Sequence, residues 1–514
     1  MARVLLLYPS IMEQEFGELG LPLSTLYIAS ALEKKGHEVR FIEGRYNPGW
    51  KEEFEDQLIN WKPLCVGVSS MTGPQLIGAV DATKMTKKLC PSAKIVWGGV
   101  HASLVPKKTM ESGYPDMIVV GEGEETFVNL VDAIEHASPL REVSGIWYRQ
   151  GGDILYTSPA PLANVNEIPE PAYHLVDMEK YIMHPGNIKE ERVLPLVTSR
   201  GCTFRCGFCY NLQFNQQKWR ATSAEQVVEQ IKKLVSQYNL TGIYLRDDLF
   251  FINRHRVKKI CELIIRENLS LDFYNADIRA DYICMLDKEY LELLRKAGFK
   301  TFYVGAESGS QYILDKLHKD LTVEQILKAN QVLKGTGIDA TFGFMGGLPF
   351  ERDEDIRATL KIMAQIKKDN PKTNVGYYIF VPYPGTPLFD LGVREGWTKL
   401  PERLEEWNFD WQNPERPWLS IKKRKLLKDI SNTVSFCLCL NPDRYGSWVL
   451  KLGTKTLFNI ILFRIKHNFF GMLFERYLIA AFMHLNIRRR GILRQRPDLV
   501  KRTQSVAPAV EEGA

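Results

Sequence analysis

Short runs of Val, Ile and Leu alternate with amphipathic segments through residues 1–145, and this alternation constrains the fold more than any other feature. The apolar runs are RVLLLYP, HEVRFIE, LCVGVSS, KIVWGG and DMIVVGEGEE. Helical spacing between them predicts helices over residues 21–35, 51–61 and 76–89, a short helix after KIVWGG, and a last helix beginning at Thr126. Strands rich in Val and Ile between helices are typical of a doubly wound parallel sheet. The sequence therefore predicts an α/β, Rossmann-like fold here.

Small and polar residues stand where these predicted strands end. Parallel sheets bind ligands beyond the carboxyl ends of their strands, and small residues let a ligand approach the backbone closely. The candidates are Ser69, Ser70, Met71, Thr72, Gly98, Gly99, Gly121, Glu122 and Gly123. Glycines at strand ends are also ordinary turn residues, so a purely structural role stays open. No G-x-G-x-x-G follows the first strand, which disfavours a dinucleotide site.

Three cysteines, Cys202, Cys206 and Cys209, lie within eight positions directly after the predicted strand VLPLVTSRG. A tetrahedral zinc site needs four ligands, and the next Cys or His is His255. A disulfide would leave one thiol unpaired. Three thiolates can instead hold three irons of a [4Fe-4S] cluster and leave the fourth iron open for another ligand. Three incidental thiols are the remaining alternative.

The spacing C-x3-C-x2-C, here CTFRCGFC, resembles the signature of the radical S-adenosylmethionine (SAM) enzymes. Strand and helix alternate after it through about six units, which resembles the partial (β/α)6 barrel of that family. The resemblance implies that SAM chelates the open iron. It further implies contacts to SAM from Phe208, Arg279, Glu307, Ser308 and Val381.

Other roles stay open for the polar residues at the ends of the predicted barrel strands. Arg279 and Glu307 are able to pair with each other, and Phe208 is able to pack in the core. Asp247 and Asp248, at the end of GIYLRDD, are able to cap the next helix.

The segments LGLPLSTLYIASALEKKGHEV, VGVSSMTGPQ, GGVHAS and VVGEGEETF together resemble the cobalamin-binding domain that precedes many radical enzymes. One departure concerns the loop after the first strand, YPSIMEQEFG, which lacks the histidine of the D-x-H-x-x-G motif of corrinoid proteins. Cobalamin is therefore expected without a histidine on its lower face, with residues 69–72 beneath the corrin and Met71 facing cobalt. Met71 is also suited to fill a gap in the core. His37 is expected at the surface.

The two resemblances imply a cobalamin-dependent radical SAM enzyme with a [4Fe-4S] cluster, SAM and cobalamin as cofactors. The first expectation is methylation of an unactivated carbon. A 5′-deoxyadenosyl radical would abstract hydrogen, methylcobalamin would supply the methyl group, and a second SAM would restore it. An alternative is cyclisation without methyl transfer, as in the related anaerobic cyclase of magnesium-porphyrin monomethyl ester. A methylthiotransferase would need three further N-terminal cysteines, where only Cys65 and Cys90 occur. A non-catalytic corrinoid or cluster sensor is the last alternative.

A length of 514 residues predicts two or three domains. The expected limits are 1–145 for the cobalamin-binding domain, 146–190 for a connector, 191–395 for the radical SAM barrel, 396–503 for a mostly helical region and 504–514 for a disordered tail. The apolar and basic stretch over 454–491 is expected to pack on the barrel, with peripheral membrane contact as the alternative. Cys437 and Cys439 are expected to be structural.

The composition narrows the cellular setting and the partners. The net charge of +6 is mild and much of the basic excess lies after residue 485, so no nucleic-acid partner is predicted. Nine unevenly spread cysteines disfavour a secreted disulfide scaffold, and a cytoplasmic location is expected. The expected partners are a small-molecule substrate, such as a lipid or tetrapyrrole, and an electron donor of the flavodoxin or ferredoxin type.

Overall fold

The computed structural model describes residues 1–9, 20–184, 190–407, 416–440 and 448–470, together with Glu475. The structure divides into two compact units. Unit 1 is Met1–Phe273 with Val381–Arg416, and unit 2 is Tyr274–Phe380 with Pro417–Ala514. Strands and helices are numbered below in chain order.

Unit 1 begins with a seven-stranded sheet. Its strands are β1 (Arg3–Tyr8), β2 (Glu38–Glu43), β3 (Cys65–Ser69), β4 (Lys94–Gly98), β5 (Met117–Val119), β6 (Ile146–Gln150) and β7 (Asp153–Tyr156). The order across the sheet is β2-β1-β3-β4-β5-β6-β7. The first five strands are parallel, and β6 and β7 are antiparallel. The connections change direction between β1 and β3, which is where open α/β sheets bind their ligands.

Helices flank this sheet, as the alternation predicted. They are α1 (Leu23–Lys34), α2 (Trp50–Asp56), α3 (Gln75–Leu89), α4 (Val100–Leu104), α5 (Pro106–Glu111) and α6 (Thr126–Glu135). Alternate residues of β1 enter two different cores, because successive side chains of a strand point to opposite faces. Leu5 and Leu7 join a core with Trp97, and Leu6 joins a second core with Phe127. Both faces of the sheet are therefore covered.

The rest of unit 1 contains the cysteine loop. Its strands are β8 (Val193–Leu196), β9 (Ser199–Arg200), β10 (Arg220–Ala221), β11 (Gly242–Leu245) and β12 (Asp272–Tyr274). Its helices are α7 (Asn211–Phe214), α8 (Ala224–Tyr238), α9 (Arg254–Arg266) and α15 (Pro387–Arg394). Strands β12, β11 and β8 form one sheet, and β10 and β9 form an antiparallel pair. The cysteine loop runs from β9 to α7, so it follows a strand as predicted.

Unit 2 contains a four-stranded parallel sheet in the order β13-β14-β15-β16. The strands are β13 (Ala276–Asp277), β14 (Thr301–Glu307), β15 (Asp339–Gly346) and β16 (Asn374–Ile379). The helices are α10 (Ala280–Ile283), α11 (Lys288–Lys296), α12 (Gln311–Lys316), α13 (Val323–Leu333), α14 (Asp353–Asp369), α16 (Ile421–Asp429), α17 (Ser435–Cys439) and α18 (Trp448–His467). Along β14, Phe302 and Val304 are buried while Tyr303 is partly exposed, so one face of this strand packs into the core.

The seven-stranded sheet extends through β7 to Tyr156, beyond residue 145. The predicted domain limits stay a prediction. Residues 454–467 of the predicted apolar and basic stretch lie in α18. The rest of that stretch beyond residue 470, apart from Glu475, and the predicted tail 504–514 lie outside the described residues. In the described part of the chain, no helix combines the length and apolar character needed to cross a bilayer.

The expectation for His37 was wrong, because this side chain is buried. Its Nδ1 accepts a hydrogen bond from the backbone N–H of Ala2, which places the ring proton on Nε2. Nε2 lies 3.1 Å from Asp132 Oδ1. The position between helix and strand suggested exposure, but the carboxylate of α6 allows the imidazole to be buried.

Candidate active site

A cavity of about 380 Å³ opens at the carboxyl ends of the central strands of unit 1. Apolar side chains form part of its wall, among them Leu6, Val68, Val96 and Phe127. Of the nine strand-end candidates, all except Thr72 line it: Ser69, Ser70, Met71, Gly98, Gly99, Gly121, Glu122 and Gly123. The structure thus brings together residues from three separate strand ends, at the place where a sheet of this order binds ligands.

The loop that follows β3 divides into residues that border the cavity and residues that hold the loop. Ser69 and Met71 are partly exposed and line the cavity. Ser70 is buried, and its hydroxyl donates a 2.8 Å hydrogen bond to Gly98 O. Thr72 is buried as well, and its Oγ1 lies 2.8 Å from His101 Nδ1. Thr72 therefore positions the loop and does not border the cavity.

His101 lies behind this loop and is fully buried. Its ring packs edge-on against Trp407, with the ring centroids 5.5 Å apart. Burial lowers the pKa of His101 to about 3, so the ring is neutral at physiological pH. A neutral, buried His101 that bonds Thr72 stabilises the loop.

Two adjacent residues at the end of β4 are both glycine, but only one of them has to be glycine for the chain to fold. Gly99 has φ +94°, and an added Cβ would lie 2.7 Å from Ser70 O, so a side chain is excluded here. Gly98 has no such constraint, because an added Cβ would meet no atom within 4 Å. The fold does not require glycine at position 98, and the absence of a side chain there leaves space at the cavity.

The cysteine loop is held at its start by two neighbouring aspartates at the end of β11. Asp247 Oδ1 accepts hydrogen bonds from Thr198 N at 3.1 Å, from Thr198 Oγ1 at 2.8 Å and from the Ser199 hydroxyl. Burial raises the pKa of Asp247, and these hydrogen bonds oppose that rise. Asp248 Oδ2 accepts from Gly201 N at 2.8 Å.

The alternative that these aspartates cap the next helix was wrong, because the cap of α9 is the side chain of Asn253. A short helical turn, Phe250–Ile252, separates Asp248 from α9. The two carboxylates are thereby free to brace the strand that leads into the cysteine loop.

The three thiols lie on one loop between β9 and α7, and the part of it from Cys206 to Cys209 is a turn. Cys209 N donates to Cys206 O at 3.1 Å, which closes the turn. The pKa of the Cys209 thiol is raised to about 12, chiefly by burial; a hydrogen bond from the Asn211 backbone opposes this rise, and the neighbouring Cys206 and Cys202 contribute to it. None of the cysteines in the described residues forms a disulfide. Three neighbouring thiols and no fourth cysteine in the turn fit a [4Fe-4S] cluster held at three of its irons.

Phe208 and Val381 are both in unit 1. Phe208 is half-buried within the cysteine loop, and the preceding residue, Gly207, accepts a 2.9 Å hydrogen bond from Leu388 N at the start of α15. Val381 is half-buried and is the first residue of the stretch Val381–Arg416. The structure thus ties the cysteine loop to the segment that contains Val381.

In unit 2, Glu307 ends β14 in an unusual conformation. Its φ is +64°, and the register between β14 and β15 shifts next to it. Backbone strain of this kind in a residue other than glycine is concentrated at functional sites. Glu307 Oε1 pairs with Lys319 Nζ at 2.9 Å, and the two side chains are 14% and 9% exposed.

Arg279 does not pair with Glu307 but holds the loop that carries Lys319. Its guanidinium binds both carboxylate oxygens of Asp281, at 3.0 and 3.2 Å. It also donates to the carbonyl oxygens of Lys319 and Asp320, at 3.0 and 2.8 Å. Ser308 is likewise internal, since its hydroxyl lies 3.1 Å from Thr359 Oγ1 and is fully buried. Arg279 and Ser308 therefore shape the surroundings of Glu307.

Sequence reasoning missed three charged residues of these sites. Arg200 and Arg220 contact Glu122, and Lys319 contacts Glu307. Arg200 is two positions before Cys202, and this proximity was the one signal available. Lys319 lies in an irregular loop, and nothing in the spacing of the sequence marks it.

Comparison with known proteins agrees with this geometry. The model of the B12 binding domain matches residues 10–131, and that of the radical SAM superfamily matches residues 196–363. The chain is 32% identical over 399 residues to an uncharacterized methyltransferase of Pyrococcus horikoshii, covering 76% of this chain and 83% of that protein. It is 29% identical over 425 residues to the anaerobic magnesium-protoporphyrin IX monomethyl ester cyclase of Cereibacter sphaeroides, covering 80% and 66%.

Among solved structures, the cobalamin-dependent SAM radical enzyme OxsB with aqua-cobalamin and SAM bound has a TM-score of 0.71 at 20% identity. The match covers 95% of this chain and 75% of that chain. A B12-binding domain followed by a radical SAM domain defines the class. The chain belongs to the cobalamin-dependent radical SAM enzyme family. The predicted fold class is confirmed, and a [4Fe-4S] cluster, SAM and cobalamin are the cofactors typical of this family.

Proposed function

We propose that this radical SAM enzyme is a methyltransferase that acts on an unactivated carbon of a small, apolar molecule. The observation that carries the proposal is the presence, within one compact unit, of an apolar strand-end cavity and a turn of three neighbouring thiols. The relative of Pyrococcus horikoshii that is named a methyltransferase supports methyl transfer. When bound, the cluster, SAM and cobalamin supply the electron, the hydrogen-abstracting radical and the methyl group.

Cys202, Cys206 and Cys209 are proposed to hold three irons of the cluster. The protein's part is to present their sulfur atoms together, and Asp247 and Asp248 do this by fixing the backbone at the start of the loop. Desolvation raises the pKa of the half-buried Cys209 thiol to about 12, so the thiol is protonated at physiological pH. A protonated thiol is a poor nucleophile, and Cys209 would hold iron as a thiolate once the cluster is bound.

Cobalamin is proposed to occupy the strand-end cavity. Gly98 and Gly121, where an added Cβ would meet no protein atom within 4 Å, would let a large planar ring approach the backbone, and Met71 would face that ring. Gly123 instead packs against Ile28, where an added Cβ would lie 2.6 Å from Cδ1. No histidine occurs among the described residues that line the cavity. The expectation of a lower face without a protein histidine stays a prediction.

Five further residues are proposed to serve SAM. Glu307, strained and paired with Lys319, is the proposed direct contact to a polar group of SAM. Arg279 and Ser308 are proposed to keep Glu307 and its loop in place. Phe208 and Val381 are proposed to contact the adenine.

A small-molecule substrate is typical of radical SAM enzymes, and the apolar wall of the cavity favours a hydrophobic one. The electron is proposed to come from a flavodoxin or ferredoxin. A second candidate function is oxidative cyclisation of a tetrapyrrole without methyl transfer. The cyclase of Cereibacter sphaeroides favours it, because that protein matches 80% of this chain.

A test that needs no knowledge of the substrate separates the two candidates. The full chain, reconstituted without oxygen and supplied with cob(I)alamin, is incubated with SAM labelled in its methyl group. A methyltransferase is expected to form labelled methylcobalamin and S-adenosylhomocysteine in equal amounts. Formation of 5′-deoxyadenosine with neither product would contradict methyl transfer. Turnover of magnesium-protoporphyrin monomethyl ester under the same conditions would then favour the cyclase.

A further inference from the structure

Two arginines lie on the strands that precede and follow the segment formed by the cysteine loop and α7. Strands β9 and β10 pair antiparallel, with Arg200 directly opposite Arg220. Like charges directly opposite on such a pair are destabilising unless they are neutralised. Glu122 and Glu124, in the loop after β5, supply the opposite charge.

Glu122 is the centre of this arrangement. Its Oε1 accepts from Arg200 at 3.1 Å and from Arg220 at 3.0 Å. Its Oε2 accepts from Arg220 at 2.7 Å and from the backbone N–H of Ala163 at 2.9 Å. A carboxylate offers about four lone-pair positions, so these four hydrogen bonds use the full capacity of Glu122.

The remaining contacts complete a buried network. Arg200 donates to Glu124 at 2.7 Å and lies over the ring of Tyr27, 5.0 Å from its centroid. The Glu122 side chain is 6% exposed, and those of Arg200 and Arg220 are each 18% exposed. Burial acts to raise the pKa of Glu122, but the hydrogen bond from Arg220 and the charge of Arg200 outweigh it, and the pKa falls. Glu122 is therefore ionised and fully hydrogen-bonded, mainly to Arg200 and Arg220.

The network joins the two loops that matter for the cofactors. Glu122 lies between Gly121 and Gly123, all three of which border the proposed cobalamin cavity. Arg200 is separated from Cys202 only by Gly201. Gly201 is held in place, because its N–H donates to Asp248 Oδ2 at 2.8 Å and it packs so closely on Lys218 O that a side chain is excluded. A shift of the loop after β5 must move Arg200, and with it the start of the cysteine loop.

We propose that Glu122 is a positioning residue that ties the cobalamin loop to the cysteine loop, so that filling the cluster site tightens cobalamin binding. This inference rests on the proposed function, because it assigns the two cofactors to these two loops. It also changes the role expected for Glu122, from a contact to cobalamin to a link between the two sites. Coupling between two sites is reciprocal and is commonly worth a factor of 5 to 150 in affinity.

The test is a titration of the full chain with hydroxocobalamin, followed by absorbance, before and after anaerobic cluster reconstitution. For the wild type we expect the dissociation constant to fall by about tenfold when the cluster is present. For Glu122→Gln, which keeps the shape and loses the charge, we expect the same constant with and without the cluster. Arg220→Lys keeps the charge but loses the bidentate geometry, so its ratio is also expected to approach 1. Glu125→Gln, at an exposed neighbouring position, is the matched control and should retain the wild-type ratio.

Three results would overturn the inference. The first is a wild-type ratio near 1, and the second is a tenfold ratio that persists in Glu122→Gln. The third is an equal loss of affinity in both cluster states of Glu122→Gln, which would make Glu122 a direct ligand of cobalamin. If Glu122→Gln does not fold, as judged by circular dichroism, Arg220→Lys alone decides. These outcomes do not depend on the methyl-label experiment. A failure of methyl transfer can therefore be distinguished from an absence of coupling between the cluster and cobalamin sites.

Discussion

The two units hold their predicted site residues in opposite ways. In unit 1, most of the strand-end candidates border an open cavity of about 380 Å³, and glycine backbone and apolar side chains form much of its wall. In unit 2, Glu307, Arg279 and Ser308 already bind protein groups, namely Lys319, Asp281 and Thr359. A ligand in unit 1 has to match a shape, whereas a ligand of Glu307 has to join or replace an ion pair. Substitutions of the strand-end glycines in unit 1 should therefore act through volume, and substitutions of the Glu307 ion pair in unit 2 should act through charge.

The largest effect is expected at the cysteine turn. Alanine in place of Cys202, Cys206 or Cys209 removes one of only three protein ligands, so iron content should fall from about four per chain to below one. Reductive cleavage of SAM should fall to background. Cys284→Ala, in unit 2, is the control and should keep the iron. Iron analysis and the yield of 5′-deoxyadenosine measure both outcomes, and a full complement of iron in a Cys→Ala variant of the turn would contradict the assignment.

The next largest effect tests shape in unit 1. Gly98→Ala adds a methyl group where no protein atom lies within 4 Å, so the variant should fold with an unchanged melting temperature. The methyl group would occupy space proposed for cobalamin, and the dissociation constant for hydroxocobalamin should rise by about tenfold or more. Gly453→Ala, in α18, also meets open space and should leave that constant unchanged. Unchanged affinity in Gly98→Ala would mean that cobalamin does not lie against β4.

Gly99→Ala sharpens this test because it should act by strain. Gly99 has φ +94°, and the Cβ of an alanine there would lie 2.7 Å from Ser70 O. Alanine should therefore cost about 1–3 kcal/mol of folding stability. A lower melting temperature is expected here and not at Gly98. If both variants had the wild-type melting temperature, the described packing of β4 against the Ser70 loop would be incorrect.

A smaller effect is expected where charge dominates. Lys319→Met would leave the carboxylate of Glu307 unpaired at 14% exposure, at a cost of about 1–3 kcal/mol. The melting temperature should fall by several degrees, and the affinity for SAM, measured by equilibrium dialysis, should change with it. Lys334→Met, at an exposed position of the same unit, should do neither. An unaltered affinity for SAM would show that the ion pair serves the fold alone.

The last effect appears only when the pH is changed and concerns the stability of unit 2. Burial raises the pKa of Glu351 from 4.5 to about 7, so the folded state binds its proton more tightly than the unfolded state. The stability that this group contributes is present below pH 4.5 and is lost as the pH rises to about 7. Glu351→Gln should reduce that loss, by about 1–3 kcal/mol. Melting curves at pH 5 and 8 measure it, with exposed Glu354→Gln as control; parallel curves for wild type and Glu351→Gln would refute the shift.

The sequence predicted well whatever is encoded by local spacing. The helix expected to begin at Thr126 does begin there, and the cysteine turn follows a strand. Strand-end glycines converge on one cavity because the ends of parallel strands meet at one edge of a sheet. These features need only periodicity and a rule of topology.

What the sequence did not predict depends on partners that are distant along the chain. From the sequence, Glu122 is a candidate to bind a ligand, whereas in the structure its carboxylate accepts hydrogen bonds from Arg220, 98 positions away. The sequence predicts an exposed His37, whereas in the structure its buried ring lies beside the carboxylate of Asp132. Lys319 reaches Glu307 from a loop in which His318 and Asp320 both have positive φ, a conformation that the sequence does not signal. Ion pairs of this kind follow from the tertiary fold.

Metal analysis of one preparation tests the account most directly. The full chain, reconstituted without oxygen with iron, sulfide and hydroxocobalamin and then desalted, should retain about four irons and one cobalt per molecule. Cys206→Ala should lose the iron and still bind hydroxocobalamin, with an affinity lower by about the coupling factor, since none of the three cysteines lines the cavity. A preparation that keeps one metal and never the other would contradict the claim that this chain joins both cofactor sites.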